Sequence, residues 1–262
     1  MKRKVALVTG ACINTGVAIV EKFASEGYDV VFTGRNSERV LSAEKSYREK
    51  YPDVEIFGYA IDSLLNERTV DEASLDALFF DLDKKGITVD ALILNAADQG
   101  LGMKIFENPL TDFMRVVNTN VTWNYAFCER AALRMKKIGG GSIIFINSNT
   151  AYRAIPDRIA YETSKGAQLG MMRGLALDLG KYNIRVNAIL PGMIKTDRWE
   201  KNPDFYKNVP SKYTPLGDVA VGADVADAVW YFASAARNTT GAELVLDGGN
   251  TIQLYPIIPK EE

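Results

Sequence analysis

The chain has 262 residues, of which 47% are hydrophobic and 24% are charged, a composition typical of a globular protein with a large buried core. We expect one domain, residues 1-262, because α/β chains of this length often fold as one unit and no linker rich in Pro, Gly or Ser interrupts the sequence. The formal net charge is -2, from 31 basic and 33 acidic residues. This balance argues against partners such as nucleic acid or an anionic membrane, and it favours a small-molecule partner.

The histidine count is 0, which excludes an imidazole base, a Ser-His or Cys-His nucleophile pair and a His-ligated metal. The two cysteines, Cys12 and Cys128, are too few for a four-thiolate zinc site, so we expect no metal. The basic residues Lys2 to Lys4 precede an apolar run of only Val5 to Val8, which does not fit an export signal. No stretch approaches the roughly 18 apolar residues that a membrane span needs, and we expect a cytoplasmic protein with reduced thiols.

Short apolar runs alternate with amphipathic segments along the chain. They predict strands over Val5–Val8, Asp29–Thr33, Val54–Ile61, Ala91–Leu94, Gly141–Ile146, Arg185–Leu190 and Glu243–Leu246. Helices are predicted over Val17–Ser25, Ser37–Tyr51 with Ser37 as N-cap, Asp71–Lys85, Thr111–Lys137, Tyr161–Tyr182 and Ala223–Ala236. This alternation predicts an α/β fold with a doubly wound, Rossmann-like parallel sheet and helices on both faces. Ligands of such sheets bind at the carboxyl ends of the strands.

The first strand and the first helix are joined by a glycine-containing turn, residues 9–16. Backbone N–H groups of such a turn, together with the helix N-terminus, can bind a pyrophosphate. The turn therefore predicts a dinucleotide site, with an ordinary strand-to-helix turn as the alternative. Its residues are Gly10, Cys12, Ile13, Asn14, Thr15 and Gly16. Asn14 stands where a third glycine is expected, but Asn tolerates a positive φ better than most residues.

The predicted second strand, Asp29–Thr33, is followed by Gly34, Arg35 and Asn36, with no acidic side chain to bind a ribose 2′-hydroxyl. The planar guanidinium of Arg35 suits a 2′-phosphate, so the sequence favours NADP(H) over NAD(H). NAD(H) remains possible, and the alternative role of Arg35 is that of an exposed loop arginine.

Tyr161 and Lys165 lie four residues apart, which places a phenol and an ammonium on one face of a helix. This spacing alone is weak, and the neighbouring polar residues give it weight. Ser148 follows the strand that ends at Ile146 and lies 13 residues before Tyr161. Asn120 belongs to the preceding long helix, and Asn95 ends the strand before that helix.

In order and spacing these residues resemble the short-chain dehydrogenase/reductase family, and the resemblance covers essentially the whole chain. The matching stretches are Thr9–Gly10 with Gly16, Asp62, Asn95–Ala97, Asn120, Ser148, Tyr161 with Lys165, Asn183–Ala188, Pro191–Gly192, Thr196 and Asp247–Gly249. The chain departs from the usual family pattern at Asn14, at Ala97, where glycine is usual, and at Trp123, where a small residue is usual.

The resemblance implies that Tyr161 is the general acid/base and that Lys165 lowers the pKa of the phenol and binds the nicotinamide ribose. A free Tyr has a pKa of about 10, and a cation about 4 Å away supplies on the order of 4 kcal/mol at an effective dielectric near 20. By the same resemblance Ser148 hydrogen-bonds the substrate oxygen and Asn120 orders a water relay to Lys165. The alternatives are a turn serine and a structural asparagine.

Further cofactor contacts are implied by position within the family. Asp62 and Ser63 resemble the pair that faces the adenine, while Asn95 and Ala96 resemble the strand end that packs against it. Contacts to the nicotinamide end are implied for Pro191, Gly192, Ile194 and Thr196. Ordinary loop structure is the alternative for these residues.

The resemblance implies hydride transfer between NADP(H) and a secondary alcohol/ketone pair. An NAD-dependent dehydrogenase of the same family and a non-catalytic dinucleotide-binding sensor are the alternatives. Aromatic residues of the expected substrate lid, residues 193–217, favour an apolar substrate such as a steroid-like or acyl ketone; they are Trp199, Phe205, Tyr206 and Tyr213. Polar residues outside the lid favour a sugar instead; they are Asp98, Gln99, Arg153 and Arg158. Family members are usually dimers or tetramers, so the resemblance implies that the apolar tail 250–262 packs on a neighbouring subunit of a homo-oligomer such as a homotetramer. Packing of the tail on its own subunit is the alternative.

Overall fold

The computed structural model of the protein describes residues 3–203, 207 and 212–255. Seven parallel strands form one sheet in the order β3-β2-β1-β6-β7-β8-β9. They are β1 (Val5–Val8), β2 (Asp29–Gly34), β3 (Ile56–Ala60), β6 (Ala91–Leu94), β7 (Gly141–Ile146), β8 (Ile184–Pro191) and β9 (Glu243–Leu246). The predicted parallel sheet is confirmed. A small antiparallel hairpin of β4 (Leu64–Asn66) and β5 (Thr69–Val70) was not predicted.

Helices cover both faces of the sheet, as predicted. They are α1 (Asn14–Ser25), α2 (Ser37–Lys50), α3 (Glu72–Lys84), α4 (Leu110–Val117), α5 (Trp123–Lys137), α6 (Ile159–Gly180), α7 (Asp197–Lys201) and α8 (Gly222–Trp230). Within the described part of the chain, no helix is both long enough and apolar enough to cross a membrane.

Alternate residues of each central strand enter two separate cores. Leu7 of β1 packs in the core that includes residues of α3, α5 and α6, such as Phe127. Its neighbour Val8 points to the other face and packs in the core that includes Phe23 of α1. All four residues of β1 are buried, which explains why the strand has a continuous apolar sequence instead of an alternating one.

The N-cap of α2 differs from the prediction. Asn36 precedes the helix in an extended conformation, and its side chain accepts a hydrogen bond from the backbone N–H of Arg39 at 2.9 Å. Ser37 is the first residue of α2. The prediction of Ser37 as N-cap is therefore wrong, because the amide oxygen of Asn36 already satisfies a first-turn N–H group.

The long helix predicted over Thr111–Lys137 is interrupted. Between α4 and α5 lies a π-helical segment, Asn118–Thr122, whose one-residue bulge changes the direction in which the following side chains point. Asn120 lies at its centre and is fully buried. The bulge brings this asparagine to the carboxyl edge of the sheet, where the predicted site residues meet.

Candidate active site

The carboxyl ends of the parallel strands collect the predicted site residues along one edge of the sheet. Gly10 follows β1, Arg35 follows β2, Asp62 follows β3, Asn95 follows β6 and Ser148 follows β7. Strands that run in parallel end on the same side, so these residues form a row along that edge in the order of the strands: Asp62, Arg35, Gly10, Asn95 and Ser148.

The glycine turn after β1 is closely packed. Gly10 has a φ of 65°, and a Cβ atom there would lie 2.8 Å from the Cα of Ala96. A Cβ atom at Gly16 would lie 2.5 Å from the carbonyl oxygen of Gly10. Asn14 adopts a φ of 50°, which agrees with the expectation that Asn replaces a glycine there. Because Gly10 and Gly16 have no side chains, the backbone of the turn packs closely at the carboxyl edge of the sheet.

The N-terminus of α1 is suited to an anion. Ile13 occupies the N-cap position and makes no side-chain hydrogen bond to the first turn, which also contains no acidic residue. The first N–H groups of a helix have no partner within the helix and carry its positive end. These groups fit the pyrophosphate of a dinucleotide, with Cys12 and Thr15 beside them on the turn.

Asn95 holds the turn in place. Its Nδ2 donates to the carbonyl oxygens of Thr9 at 3.0 Å and Gly10 at 2.9 Å. The hydroxyl of Thr9 in turn accepts from the backbone N–H groups of Asn95 and Ala96, each at 3.0 Å. Both N–H bonds of the Asn95 amide are used, so its side chain shapes the turn instead of donating to a ligand.

Two exposed arginines flank the end of β2. Arg35 is exposed, as expected of a residue that meets a ligand phosphate or solvent. Arg39, on the first turn of α2, lies near Cys12: burial raises the pKa of this thiol, and the charge of Arg39 partly offsets the effect. Sequence reasoning missed Arg39, although its spacing of four residues from Arg35 was a usable signal.

The expected adenine contacts are tied to the π-helical segment. Asp62 accepts a hydrogen bond from the backbone N–H of Ser63 at 2.7 Å, and the hydroxyls of Ser63 and Thr119 are 3.1 Å apart. The β4–β5 hairpin is linked to the same segment, since Asn118 Nδ2 donates to the carbonyl oxygen of Glu67 at 3.2 Å. The unpredicted hairpin therefore supports this end of the site.

The stretch after β8 is fixed by backbone contacts. Gly192 donates its N–H to the carbonyl oxygen of Leu246 at 3.0 Å, and a Cβ atom there would lie 2.6 Å from that of Asp247. Pro191 is buried at the end of β8, whereas Ile194 and Thr196 are partly exposed. Glycine is thus needed where the chain turns away from the sheet.

The described part of segment 193–217 is anchored by the end of the chain. The carbonyl oxygen of Tyr213 accepts from Asn250 Nδ2 at 2.7 Å and from Gln253 Nε2 at 2.6 Å. Trp199 is half-buried on α7. Phe205 and Tyr206 lie outside the described residues.

Ser148 and Tyr161 are brought together at the end of β7. Ser148 is buried, and its side chain lies close enough to that of Tyr161 to influence the pKa of the phenol. Burial raises the pKa of Tyr161, while Ser148 and the charge of Arg158 act in the opposite direction. The guanidinium carbon of Arg158 lies 5.8 Å from the centroid of the Tyr161 ring.

Lys165 lies next to Tyr161 on the same face of α6, as the spacing of four residues predicts. Its Nζ is 5.4 Å from the centroid of the Tyr161 ring and donates to the carbonyl oxygen of Ile146 at 2.8 Å and to Gln168 Oε1 at 3.3 Å. The side chain is 1% exposed, and burial lowers the pKa of Lys165 to about 7.

The pKa of Tyr161 is raised and not lowered, contrary to the expectation from the sequence. That expectation assigned Lys165 a full positive charge, but a buried ammonium without an ionised partner is itself destabilised. A lysine whose pKa lies near 7 is only partly protonated at neutral pH, so the full positive charge that the sequence-based expectation assumed is not present there.

Asn120 makes direct contacts within the protein. Its Oδ1 accepts from the backbone N–H of Asp98 at 2.8 Å, and its Nδ2 donates to the carbonyl oxygen of Asp98 at 2.8 Å and to Ser164 Oγ at 2.9 Å. Its backbone carbonyl oxygen accepts from Gln168 Nε2 at 2.7 Å. The residue between Asn120 and Lys165 is therefore Gln168, which sequence reasoning missed although it lies on the same helical face as Lys165.

The residues that favoured a sugar substrate are largely paired within the protein. Asp98 forms an ion pair with Arg115, and Arg158 donates to the carbonyl oxygen of Gln99 at 2.7 Å. Arg153 is exposed.

Trp123, one of the departures from the family pattern, is accommodated in the core, where its ring packs edge-to-face on that of Phe127 at a centroid distance of 5.2 Å. Among the described residues, His, Cys, Asp and Glu form no group that could hold a metal ion.

A doubly wound parallel sheet, a glycine turn at the end of its first strand and a Tyr-Lys-Ser group at the same edge, with the lysine and the serine buried, define a dinucleotide-binding oxidoreductase. Residues 10–251 match a family model described as enoyl-(acyl carrier protein) reductase. The chain belongs to the short-chain dehydrogenase/reductase family.

Relatives in this family differ in what they act on. The chain is 34% identical over 249 residues to a 3alpha-hydroxysteroid dehydrogenase of Mediterraneibacter gnavus (95% of this chain, 97% of the relative). It is 31% identical over 258 residues to an NADP-dependent (R)-specific alcohol dehydrogenase of Lentilactobacillus kefiri (97% and 98%). The structure of L-sorbose reductase from Gluconobacter frateurii, complexed with NADPH and L-sorbose, is similar at a TM-score of 0.86 and 26% identity (97% and 98% covered).

Proposed function

We propose that the protein transfers a hydride between NADP(H) and a secondary alcohol/ketone pair. The observation that carries this proposal is the grouping of Ser148, Tyr161 and Lys165, in which Ser148 influences the pKa of the phenol and the buried Lys165 Nζ lies 5.4 Å from the centroid of its ring. This group lies at the sheet edge that also carries the glycine turn and the N-terminus of α1. A substrate oxygen that meets both hydroxyls there is positioned beside a bound dinucleotide.

Each residue of this group has a distinct task in the proposal. Tyr161 gives its proton to the ketone oxygen, or takes one from the alcohol, and Ser148 holds that oxygen by a hydrogen bond. Lys165 raises the acidity of the phenol to the extent that it is protonated. Asn120 fixes the backbone of Asp98 and thus the wall of the site after β6.

The dinucleotide fits the residues at the edge and, when bound, supplies or accepts the hydride. The glycine turn and the N-terminus of α1 would hold its pyrophosphate, and we assign the adenine to Asp62, Ser63 and Ala96, which follow β3 and β6. We assign the 2′-phosphate to Arg35 with help from Arg39, because the carboxyl end of β2 offers no acidic side chain to a ribose 2′-hydroxyl. Lys165, Ile194 and Thr196 are assigned to the nicotinamide end.

Turnover is tested by following NADPH absorbance with a panel of steroid-like, acyl, sugar and simple ketones. We expect one class to be reduced, and Tyr161→Phe to lower kcat at least 1000-fold while the Kd for NADPH stays within threefold. Tyr231→Phe, at a half-exposed tyrosine near the end of α8, is the matched control and retains activity. Binding of NADPH without turnover of any class would support the alternative of a dinucleotide-binding sensor.

Cofactor preference is tested separately by fluorescence titration with NADPH and NADH. Arg35→Ser is expected to raise the Kd for NADPH at least tenfold and Arg39→Ser about threefold, with little change for NADH, since only NADPH carries the 2′-phosphate. Arg237→Ser, at an exposed arginine beyond α8, is the control. Equal affinities of the unchanged protein for both cofactors would favour the NAD-dependent alternative.

We also propose a cytoplasmic homo-oligomer, a tetramer or a dimer. Three apolar side chains of the final described segment are largely exposed: Ile252, Leu254 and Tyr255. They are candidates for burial against a second copy, and residues 256–262 of the tail lie outside the described residues. Light scattering of the full chain and of a chain truncated after Asn250 tests this, and an unchanged monomeric mass in both would contradict it.

A further inference from the structure

Gln168 lies at the centre of the buried polar network beneath Tyr161. Its side chain is 1% exposed. Its Oε1 accepts from Lys165 Nζ at 3.3 Å and from Asn147 Nδ2 at 3.1 Å, and its Nε2 donates to the carbonyl oxygen of Asn120 at 2.7 Å. One side chain thus joins α6, the residue after β7 and the π-helical segment.

The surrounding groups fix the orientation of the Gln168 amide. Two donors, the Lys165 ammonium and the Asn147 amide, face its oxygen, and one acceptor, the Asn120 carbonyl, faces its nitrogen. A flipped amide would place N–H groups against donors and oxygen against oxygen. The oxygen of Gln168 is therefore held toward Lys165.

We propose that Gln168 is a positioning residue of the Tyr161–Lys165 couple, which holds Lys165 through a neutral acceptor and thereby sets the pH range in which this lysine is charged. This inference rests on the proposed function for its catalytic consequence. A carboxamide orients an ammonium but is a poor proton carrier, so the link from Lys165 to Asn120 serves position and charge, not proton transfer.

The groups that face Lys165 support this role. β7 presents the carbonyl oxygen of Ile146, and α6 presents the Tyr161 ring and Gln168. Arg158 also lies near this ring, with its guanidinium carbon 5.8 Å from the ring centroid. The hydrogen-bond acceptors of Nζ are thus neutral oxygens, and burial is the cause that lowers the pKa of Lys165 to about 7. A charged acceptor at position 168 would change the local balance directly.

The test measures Lys165 without substrate or cofactor. In protein labelled with ¹³C at the lysine ε-carbons, one resonance should titrate near neutrality and be missing in Lys165→Met. We expect Gln168→Glu to raise this midpoint by at least one pH unit, because a carboxylate stabilises the ammonium. Gln168→Met, of similar length, should lower it by at least half a unit, because one of the two acceptors is lost. An unchanged midpoint in both folded variants overturns the inference.

A kinetic arm uses the substrate class that the ketone panel identifies. For alcohol oxidation, the acidic limb of the kcat profile should move to lower pH in Gln168→Glu, because Lys165 then stays protonated over a wider pH range and makes the phenol more acidic. A glutamine with only a structural role would lower kcat without moving the limb. Ser148→Ala is the control: it should lower kcat strongly and leave the lysine midpoint within 0.3 unit. A lysine midpoint that moves as expected in a protein without turnover would reject the proposed function and retain the role of Gln168 at Lys165.

Discussion

Thr150 donates two hydrogen bonds to the hydroxyl oxygen of Ser148. One comes from its backbone N–H at 3.2 Å and the other from its Oγ1 at 3.0 Å. Because both bonds end on the oxygen, the hydroxyl hydrogen of Ser148 remains for donation, and a donor beside Tyr161 lowers the pKa of the phenol. Thr150 therefore orients the serine in the direction that the proposed chemistry needs.

Replacement of Thr150 by Val should weaken this orientation without changing the volume of the side chain. The backbone bond survives, so we expect kcat to fall about three- to tenfold, consistent with the loss of one hydrogen bond of about 1 kcal/mol. Thr150→Ser keeps the hydroxyl and should retain most of the activity. Steady-state kinetics of both variants checks this, and equal losses in the two would show that packing, not the hydroxyl, matters.

Much of the fold could be predicted because its strands are buried on both faces. The run Val5–Val8 is apolar for this reason, and the alternation with helices leaves few arrangements of a parallel sheet. The π-helical interruption at Asn120 could not be predicted, because its side chain is held by the backbone of Asp98, 22 residues earlier in the chain. Helical periodicity carries no information about such a contact.

The candidate site was predictable in position but not in electrostatics. Tyr161, Lys165 and Ser148 meet as the spacing and the strand order indicated. The direction of the Tyr161 pKa depends on how completely Lys165 is buried, which no spacing reveals. Gln168 follows Lys165 by three residues on the same buried face, and a polar residue at such a position is a signal that could have been used.

The buried lysine should make stability depend on pH in a defined direction. The pKa of Lys165 is about 7 in the folded protein, below its ordinary value of about 10.4 in the unfolded chain. Below pH 7 both states hold the proton and the cost of burying the charge is fully present. Between about pH 7 and 10 the unfolded chain binds one more proton than the folded protein, so this group's contribution to stability rises with pH by up to about 1.4 kcal/mol per unit.

Lys165→Met removes this titration and isolates its effect. Met leaves the Ile146 and Gln168 oxygens without the ammonium donor, which lowers stability by an amount that does not depend on pH. The difference in free energy of unfolding, variant minus unchanged protein, should therefore be most favourable to the variant near pH 6.5 and decrease toward pH 9.5. Urea unfolding at both pH values measures it, and a difference that stays constant would contradict a lowered lysine pKa.

The glycine turn provides a steric prediction with a control in the same chain. An added Cβ at Gly16 would meet the Gly10 carbonyl oxygen at 2.5 Å and the Ala11 Cα at 2.7 Å, both backbone atoms that cannot rotate away. Gly16→Ala should displace the turn, raise the Kd for NADPH at least 100-fold and lower the melting temperature. At Gly180, the last residue of α6, an added Cβ meets nothing within 4 Å, so Gly180→Ala should leave the Kd unchanged and stabilise the helix by up to about 1 kcal/mol. Calorimetry and cofactor titration of the two variants decide the point, because unchanged NADPH affinity in Gly16→Ala would place the pyrophosphate away from this turn.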